Sequence, residues 1–315
     1  MDIFTHLVFG SLMYLLFLKE VTLDYILIAA FFSILPDLDV FLAPLKKILK
    51  SKYLEHRGGS HSYIVGIIIS FVIGLIVSYF THLPFYLVWI IGSIFYGLHV
   101  SMDLLTTTSI PFLYPLSKRE HCFYIEKAGS MFTFISSIIF LLLPMVLFRI
   151  FRGMVFFQLY INVYTYFFIL YYLYRIISKI YISTTLEKDQ KYFPGILPFH
   201  YRIYTYKING NSIVSSVEKK SHFSKKTDII QMSFTLTDQE KLFFEKAKEL
   251  IRKHYYFAKW TLFPIFVRSD GIFSVKFFFL ESMMRRRTMY VQYDFNIEKY
   301  DVVNFIQKSG PIQTT

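Results

Sequence analysis

Six apolar runs dominate the first 183 residues, covering approximately residues 7–18, 21–35, 63–80, 84–100, 131–151 and 154–182. A helix that crosses a bilayer needs ~20 residues, with a range of ~17–25. The last four runs reach that length with their flanks, and the first two fall short. The short pair is expected as a helical hairpin that crosses the membrane, tilted or shielded by its neighbours. Its alternative is a hairpin that enters and leaves on one face. The segment Met1-Asp2-Ile3-Phe4-Thr5-His6 has no basic region and no small-residue cleavage site follows it, so the first run is expected to be a retained helix and not a secretion signal.

The pattern changes at Thr184, where Glu187-Lys188-Asp189-Gln190-Lys191 opens a region of ordinary soluble character. A proline-bearing connector follows at 192–199. His200 to Ile208 then reads as a strand that turns at Asn209-Gly210 into a second strand over Asn211–Val217. Thr237-Asp238-Gln239-Glu240 fits a capping box, and Phe243, Ala247, Leu250 and Ile251 recur at helical spacing, which predicts an amphipathic helix over about 238–256. Trp260–Arg268, Gly271–Leu280 and Thr288–Phe295 are expected as strands, with turns at Ser269-Asp270-Gly271 and Arg285-Arg286-Arg287. The expected fold class is therefore mainly α: a polytopic helical membrane domain of about six helices over 1–183, then a smaller α+β soluble domain over 184–315.

Composition agrees with a membrane protein: of 315 residues 54% are hydrophobic and 20% aromatic, and the mean hydropathy is +0.43. The net charge of +12 divides into +4 before residue 184 and +8 after it. An anionic cytoplasmic leaflet attracts such charge, so membrane lipids and not nucleic acid are the expected partners. Orientation follows from short loops: Lys46, Lys47, Lys50, Lys52 and Arg57 share one loop, and Lys118, Arg119 and Lys127 another, whereas the opposite connections hold only Lys19, Arg149 and Arg152. The loops rich in Lys and Arg, and the tail with them, are expected on the cytoplasmic side. The four lysines at 46–52 are compatible either with a solvated loop or with a short amphipathic helix on the membrane surface. A single cysteine, Cys122, excludes an internal disulfide and a multi-cysteine zinc site.

Chemistry gathers at the ends of the apolar runs. Thr5-His6, Pro36-Asp37-Leu38-Asp39, His56-Arg57-Gly58-Gly59-Ser60-His61 and His99-Val100-Ser101-Met102-Asp103 all fall on one face if the helices alternate in direction. Ionisable groups at a bilayer edge are costly unless paired or bound to an ion, so His6, Asp37, Asp39, His56, His61, His99 and Asp103 are the candidate metal ligands. His99 and Asp103 lie four apart and share a helix face. Asp37 and Asp39, after Pro36, are expected on one side of an extended segment, and the glycines after Arg57 are expected to let a tight turn bring His56 and His61 inward. Four imidazoles and three carboxylates exceed one tetrahedral zinc and suit a site of zinc, manganese or iron holding more than one ion. Such a site activates water for attack on an ester or phosphoester. Arg57, placed to hold a phosphate or carboxylate, joins His61 and Asp103 as the expected catalytic group. Each residue also has a plainer role: His6 and Asp37 at helix ends, Asp39 in a turn, Arg57 as surface charge. His82 falls on the opposite face, His121 and Cys122 flank no helix end, and His200, His222 and His254 belong to the tail. No His-Glu-x-x-His motif occurs.

Motif by motif, these residues resemble the membrane-bound metal-dependent hydrolases of the YdjM-like type, a family related to zinc-dependent phospholipase C and single-strand-specific zinc nucleases. Thr5-His6, Pro36-Asp37-Leu38-Asp39, His56-Arg57-Gly58-Gly59-Ser60-His61-Ser62, His99 with Asp103-Leu104-Leu105-Thr106-Thr107, and Tyr114-Pro115-Leu116-Ser117 carry the resemblance through about residue 120. A weaker similarity lies at Pro194–Tyr201. Thr108-Ser109 and Pro115-Leu116 depart from the family pattern, which puts the substrate side of the pocket in question. The resemblance implies hydrolysis of a lipid-like ester or phosphoester at the membrane. Against it stand a non-enzymatic membrane protein that binds or moves a divalent cation, and an anchored regulatory module in which the basic tail does the work.

Overall fold

The computed structural model describes residues 1–17, 22–42, 54–150, 154–253, 255–284 and 287–312. Lys46, Lys47, Lys50 and Lys52, with the surface helix considered for them, lie outside the described residues, as do Lys19, Arg152, His254, Arg285 and Arg286. The chain divides into two units, Met1–Ile177 and Ser178–Thr315.

The first unit is helical: α1 (Ile3–Phe17), α2 (Leu23–Ile34), a 3-10 helix (Leu35–Leu42), α3 (Tyr63–Thr81), α4 (Phe85–Leu104), α5 (Met131–Ile150) and α6 (Met154–Thr184), the last continuing into the second unit. Among the described residues three helices are long and apolar enough to cross a membrane: Tyr63–Thr81, Phe85–Leu104 and Phe156–Thr184. This corrects the expectation of about six spans. The apolar helix Ile3–Phe17 is shorter, as is the part of α5 described in full, Met131–Pro144, and α2 has only 12 residues. Apolar composition alone did not separate a spanning helix from one packed among its neighbours.

Close backbone approach holds α1, α2 and α4 together. A Cβ on Gly10 of α1 would lie 1.9 Å from Ser33 Oγ of α2, and one on Gly92 of α4 would lie 2.8 Å from the Phe32 ring, so only glycine permits these contacts. Tyr14, Ala29, Phe32, Phe95, Tyr96 and Val100 fill the shared core.

The second unit corrects the α+β expectation, because its architecture is two four-stranded antiparallel sheets. The first has the order β1 (Gln190–Pro194), β2 (His200–Asn209), β3 (Ser212–Ser221), β4 (Asp228–Thr235). The second has the order β5 (Leu262–Ser269), β6 (Ile272–Phe279), β7 (Arg287–Asn296), β8 (Val302–Pro311). The class is all-β, and the predicted amphipathic helix is the connection between the sheets: α7 (Asp238–Arg252), followed by the single turn α8 (Tyr255–Ala258). Thr237 and Glu240 form the expected capping box, and Phe243, Phe244, Ala247 and Ile251 bury among Phe273, Phe277 and Phe295. The Asn209-Gly210 hairpin forms as expected, with Gly210 at φ +61°. Strands β1, β4 and β8 were not expected. β1 ends on a proline at a sheet edge, and β8 is largely exposed, so neither shows an alternating apolar pattern.

Candidate metal centre

The local geometry behind the acidic pair differs from expectation. Asp37 and Asp39 lie in the 3-10 helix Leu35–Leu42 and not on an extended segment, which parts their side chains. Asp37 faces His61 and His99, whereas Asp39 turns to the 56–61 loop: its Oδ1 lies 2.7 Å from His56 Nδ1, and its Oδ2 accepts from Ser60 Oγ at 2.6 Å and from the Arg57 backbone N–H at 3.0 Å. The positive φ of that loop falls on Arg57 itself, at 61°, and not on the glycines. His56 is consequently the outer imidazole, 39% exposed, while His61 is fully buried.

Four residues converge. Ligand atoms of Asp37, His61, His99 and Asp103 all lie within 4.8 Å of one another. His61 Nε2 is 3.5 Å from Asp37 Oδ1 and 3.3 Å from Asp103 Oδ2, and 3.3 Å from His99 Nε2. His99 Nδ1 lies 2.7 Å from the Ser33 carbonyl. A carbonyl can only accept, so the Nδ1 proton sits there and Nε2 turns its lone pair to the cluster. The outer nitrogen of His61 faces Asp39 Oδ2 at 3.4 Å and Ser60 Oγ at 3.1 Å, an arrangement of carboxylate behind imidazole that orients metal ligands. Tyr96 adds a further support by donating to the Ser60 carbonyl at 2.5 Å.

His6 stands at the edge of this group. Its ring stacks on His99 with centroids 3.6 Å apart, and its Nε2 is 3.3 Å from Asp103 Oδ1 and 4.0 Å from Asp37 Oδ2. Arg57 packs on the far side of Asp103, with Nε 3.1 Å from Oδ2 and Nη2 3.1 Å from the Met1 carbonyl; the Met1 amino group also donates to Asp103 Oδ1. Thr106 Oγ1 donates to the Asp103 carbonyl at 2.9 Å, and Ser62 Oγ to the Tyr114 carbonyl at 2.5 Å, which ties the remaining sequence motifs to the same place.

Electrostatics distinguish the acids from the base. Burial opposes ionisation of Asp37 and Asp39, but the His61 imidazole beside Asp37, and those of His56 and His61 beside Asp39, outweigh it and hold both carboxyls well below their ordinary range. Burial likewise opposes a charge on His61, yet Asp103, Asp37 and Asp39 together push its imidazole up to about 10.

Whether these residues fit a cation can be tested on their hydrogen bonds. His6 Nε2 and Asp37 Oδ1 are buried without a hydrogen-bond partner among the described residues, and Asp103 Oδ2 has its ion pair with Arg57 but no hydrogen bond. Each such group costs ~1–3 kcal/mol if left unsatisfied, more when charged. Two imidazole nitrogens and two carboxylates at this spacing form a mixed nitrogen and oxygen donor set suited to zinc, manganese or iron. The group fits a divalent cation. His82 caps α3 at φ 59°, His121 makes a backbone bridge with Ile110, and Cys122 Sγ meets Ser109 Oγ at 3.2 Å.

Sequence reasoning passed over Ser33, Ser60 and Tyr96, which hold the ligands in place, and the buried Glu126 and Arg175. A backbone carbonyl carries no sequence signal, so Ser33 could not have been read from residue type, and Ser60 and Tyr96 act through hydroxyls whose partners only the fold brings near.

The features together define a class: a helical membrane protein with a buried His/Asp cluster able to hold a metal ion. The family model described as YdjM inner membrane protein matches residues 1–181, more than half of the chain, and the chain belongs to this family. No curated protein and no solved structure matches it.

Proposed function

We propose that this chain is a membrane-bound metal-dependent hydrolase acting on a lipid-like ester or phosphoester at the cytoplasmic face. The observation that carries the reading is the convergence of Asp37, His61, His99 and Asp103, whose ligand atoms lie within 4.8 Å of one another, with Asp37 Oδ1 lacking a hydrogen-bond partner among the described residues. Asp37, His61, His99 and Asp103 would hold the ion, with His6 beside them. When bound, a divalent ion supplies Lewis acidity to the attacked group and lets water act as a nucleophile near neutral pH.

The chain's own residues set the conditions for that chemistry. Asp39 and Ser60 fix the His61 ring, and the Ser33 carbonyl fixes His99, so neither imidazole must reorganise. Arg57 keeps Asp103 ionised and adds positive charge that favours an anionic substrate. Asp37 retains 9% side-chain exposure where His61, His99 and Asp103 have none, so substrate would approach from the Asp37 side. A site with exposure on one side only, on a protein with apolar spans, suits a substrate drawn from the membrane surface.

The test is elemental analysis of the detergent-purified full chain beside His61→Ala/Asp103→Ala, each checked for folding, followed by assay on phosphodiester and phospholipid substrates in mixed micelles. Near-stoichiometric zinc, manganese or iron in the wild type, its loss in the variant, and turnover that follows the metal are expected. Metal bound without turnover of any ester would favour a non-enzymatic cation-binding protein. Equal metal content in both proteins, or none in either after metal-replete preparation, would sink the metal-site reading and turn attention to the basic tail.

A further inference from the structure

The C-terminal unit contains a cationic cleft that the metal centre does not use. Strands β2 and β3 pair with His200 opposite Ser221, Tyr201 opposite Lys220 and Arg202 opposite Lys219. Two adjoining cavities of about 270 Å³ and 510 Å³ share His200 and Lys219 in their walls. The smaller has Arg202 at its base, a buried guanidinium whose Nη1 donates to the Met283 carbonyl at 3.0 Å. The larger continues over Lys220 and Lys226 and includes Asp228, which stands opposite Lys219 across β3 and β4, so that the lysines outnumber one carboxylate in its wall. Among the described residues Lys219, Lys225 and Lys226 form no ion pair, whereas Lys220 meets Glu218 at 2.8 Å. Burial and then the Lys219 charge lower the pKa of His200, as expected where positive potential accumulates.

An apolar rim borders this charge. Phe223, between the lysines in sequence, is 81% exposed, and Leu197 is 41% exposed. The Phe223 ring lies 5.9 Å from that of Phe199. Lysines around a projecting aromatic ring make the pattern of a surface that enters the headgroup layer, where rings sit at the boundary and cations meet lipid phosphate.

A hydrogen bond places the cleft. His222 Nε2 lies 2.7 Å from Oγ of Ser178, in the part of α6 that belongs to the C-terminal unit. The candidate span in α6 is 29 residues long, Phe156–Thr184, against the ~20 that a crossing needs. Ser178 belongs to the end of α6 that continues into the C-terminal unit. Phe223 and the lysines adjoin His222 in sequence.

We propose that the cleft between residues 195–202 and 219–228 is an interfacial site for the phosphate of an anionic phospholipid headgroup. Lys219, Lys220 and Lys226 face the phosphate, and Phe223 enters the acyl boundary. The site is independent of the metal centre and would stand if that centre proved empty.

The test uses the full chain in nanodiscs, with an environment-sensitive dye on Ser224→Cys in a Cys122→Ser background. Discs of phosphatidylcholine alone are compared with discs containing phosphatidylglycerol. A blue shift confined to the anionic discs, reversed by high salt, is expected. It should be lost in Lys219→Gln/Lys220→Gln/Lys226→Gln, for which roughly fivefold per charge gives about a 100-fold weaker response to anionic lipid. Phe223→Ser should reduce the shift, and both variants should keep the wild-type unfolding temperature. Equal signals in the two discs, or a shift that survives the triple substitution, would overturn the proposal. Full reversal by inorganic phosphate would also overturn it, in favour of a soluble phosphate ligand. A response to a single-stranded oligonucleotide but not to phosphatidylglycerol would overturn it in favour of nucleic acid.

Discussion

Glu126 and Arg175 are buried as completely as His61 and Asp103, with no exposed surface on any of the four, yet their surroundings differ. Arg175 reaches Glu126 Oε1 through Nη2 at 3.1 Å and Oε2 through Nε at 3.0 Å; the Tyr171 hydroxyl donates to Oε2, and the Lys127 N–H donates to Oε1 at 3.0 Å. Both carboxylate oxygens are filled by the protein itself. In the other cluster Asp37 Oδ1 and His6 Nε2 find no hydrogen-bond partner among the described residues, and Asp103 Oδ2 has only its ion pair with Arg57. Burial alone therefore does not mark a functional site. A closed ionic pair between the 105–130 loop and α6 reads as architecture, and an open cluster reads as a place for something not encoded in the chain.

The largest effect expected on this contrast is from Arg175→Ala, which leaves Glu126 charged and unpaired and should cost ~3–5 kcal/mol of stability. Glu126→Leu/Arg175→Met should recover most of that loss, and metal content per folded molecule should stay at the wild-type level in both. Thermal unfolding in detergent with parallel elemental analysis checks this, and loss of metal in the recovered double variant would show that the two clusters are not separate. Asp103→Asn should do the reverse, weakening metal affinity by more than about 100-fold, beyond what loss of an outer partner gives. Competition with a chelator reads that affinity. Asp39→Ala removes only the support behind His61 and His56, so a smaller loss of ~10–100-fold is expected in the same assay; an effect as large as that of Asp103→Asn would move Asp39 among the ligands.

The smallest effect concerns an ion pair of the tail. Burial opposes ionisation of Glu240, but Arg268, with Nε 2.5 Å from Oε1, and the Thr237 N–H lower its pKa from 4.5. Its contribution is present above pH 4.5 and is lost as pH falls through the lowered folded value. Glu240→Gln should cost about 1 kcal/mol at neutral pH, as a lost cap does, and flatten the acid limb of unfolding followed by hydrogen exchange in α7. An unchanged acid limb would mean that other carboxylates control it.

Local signals in the sequence carried far in the tail and less far in the helices. Asn209-Gly210 and Thr237-x-x-Glu240 each act within a few residues, and both formed as read. Strand β4 was missed although Ile230 and Met232 alternate inward, because the flanking lysines and threonines masked a short run. In the membrane unit Leu23–Ile34 is as apolar as a spanning helix but is 12 residues long and packs against α1 and α4.

Asp37, His61, His99 and Asp103 could each be named from the sequence, because chemistry-bearing residues at the ends of apolar runs stand out against their surroundings. The sequence likewise determined the Asn-Gly hairpin and the capped helix, both of which depend on patterns within a few turns of chain. Only the tertiary structure decided that Asp37 parts from Asp39, that His56 stands outside, and that Glu126 closes on Arg175, 49 residues away. Those outcomes depend on which carbonyl or carboxylate lies opposite each group once the helices pack, and no local spacing encodes that.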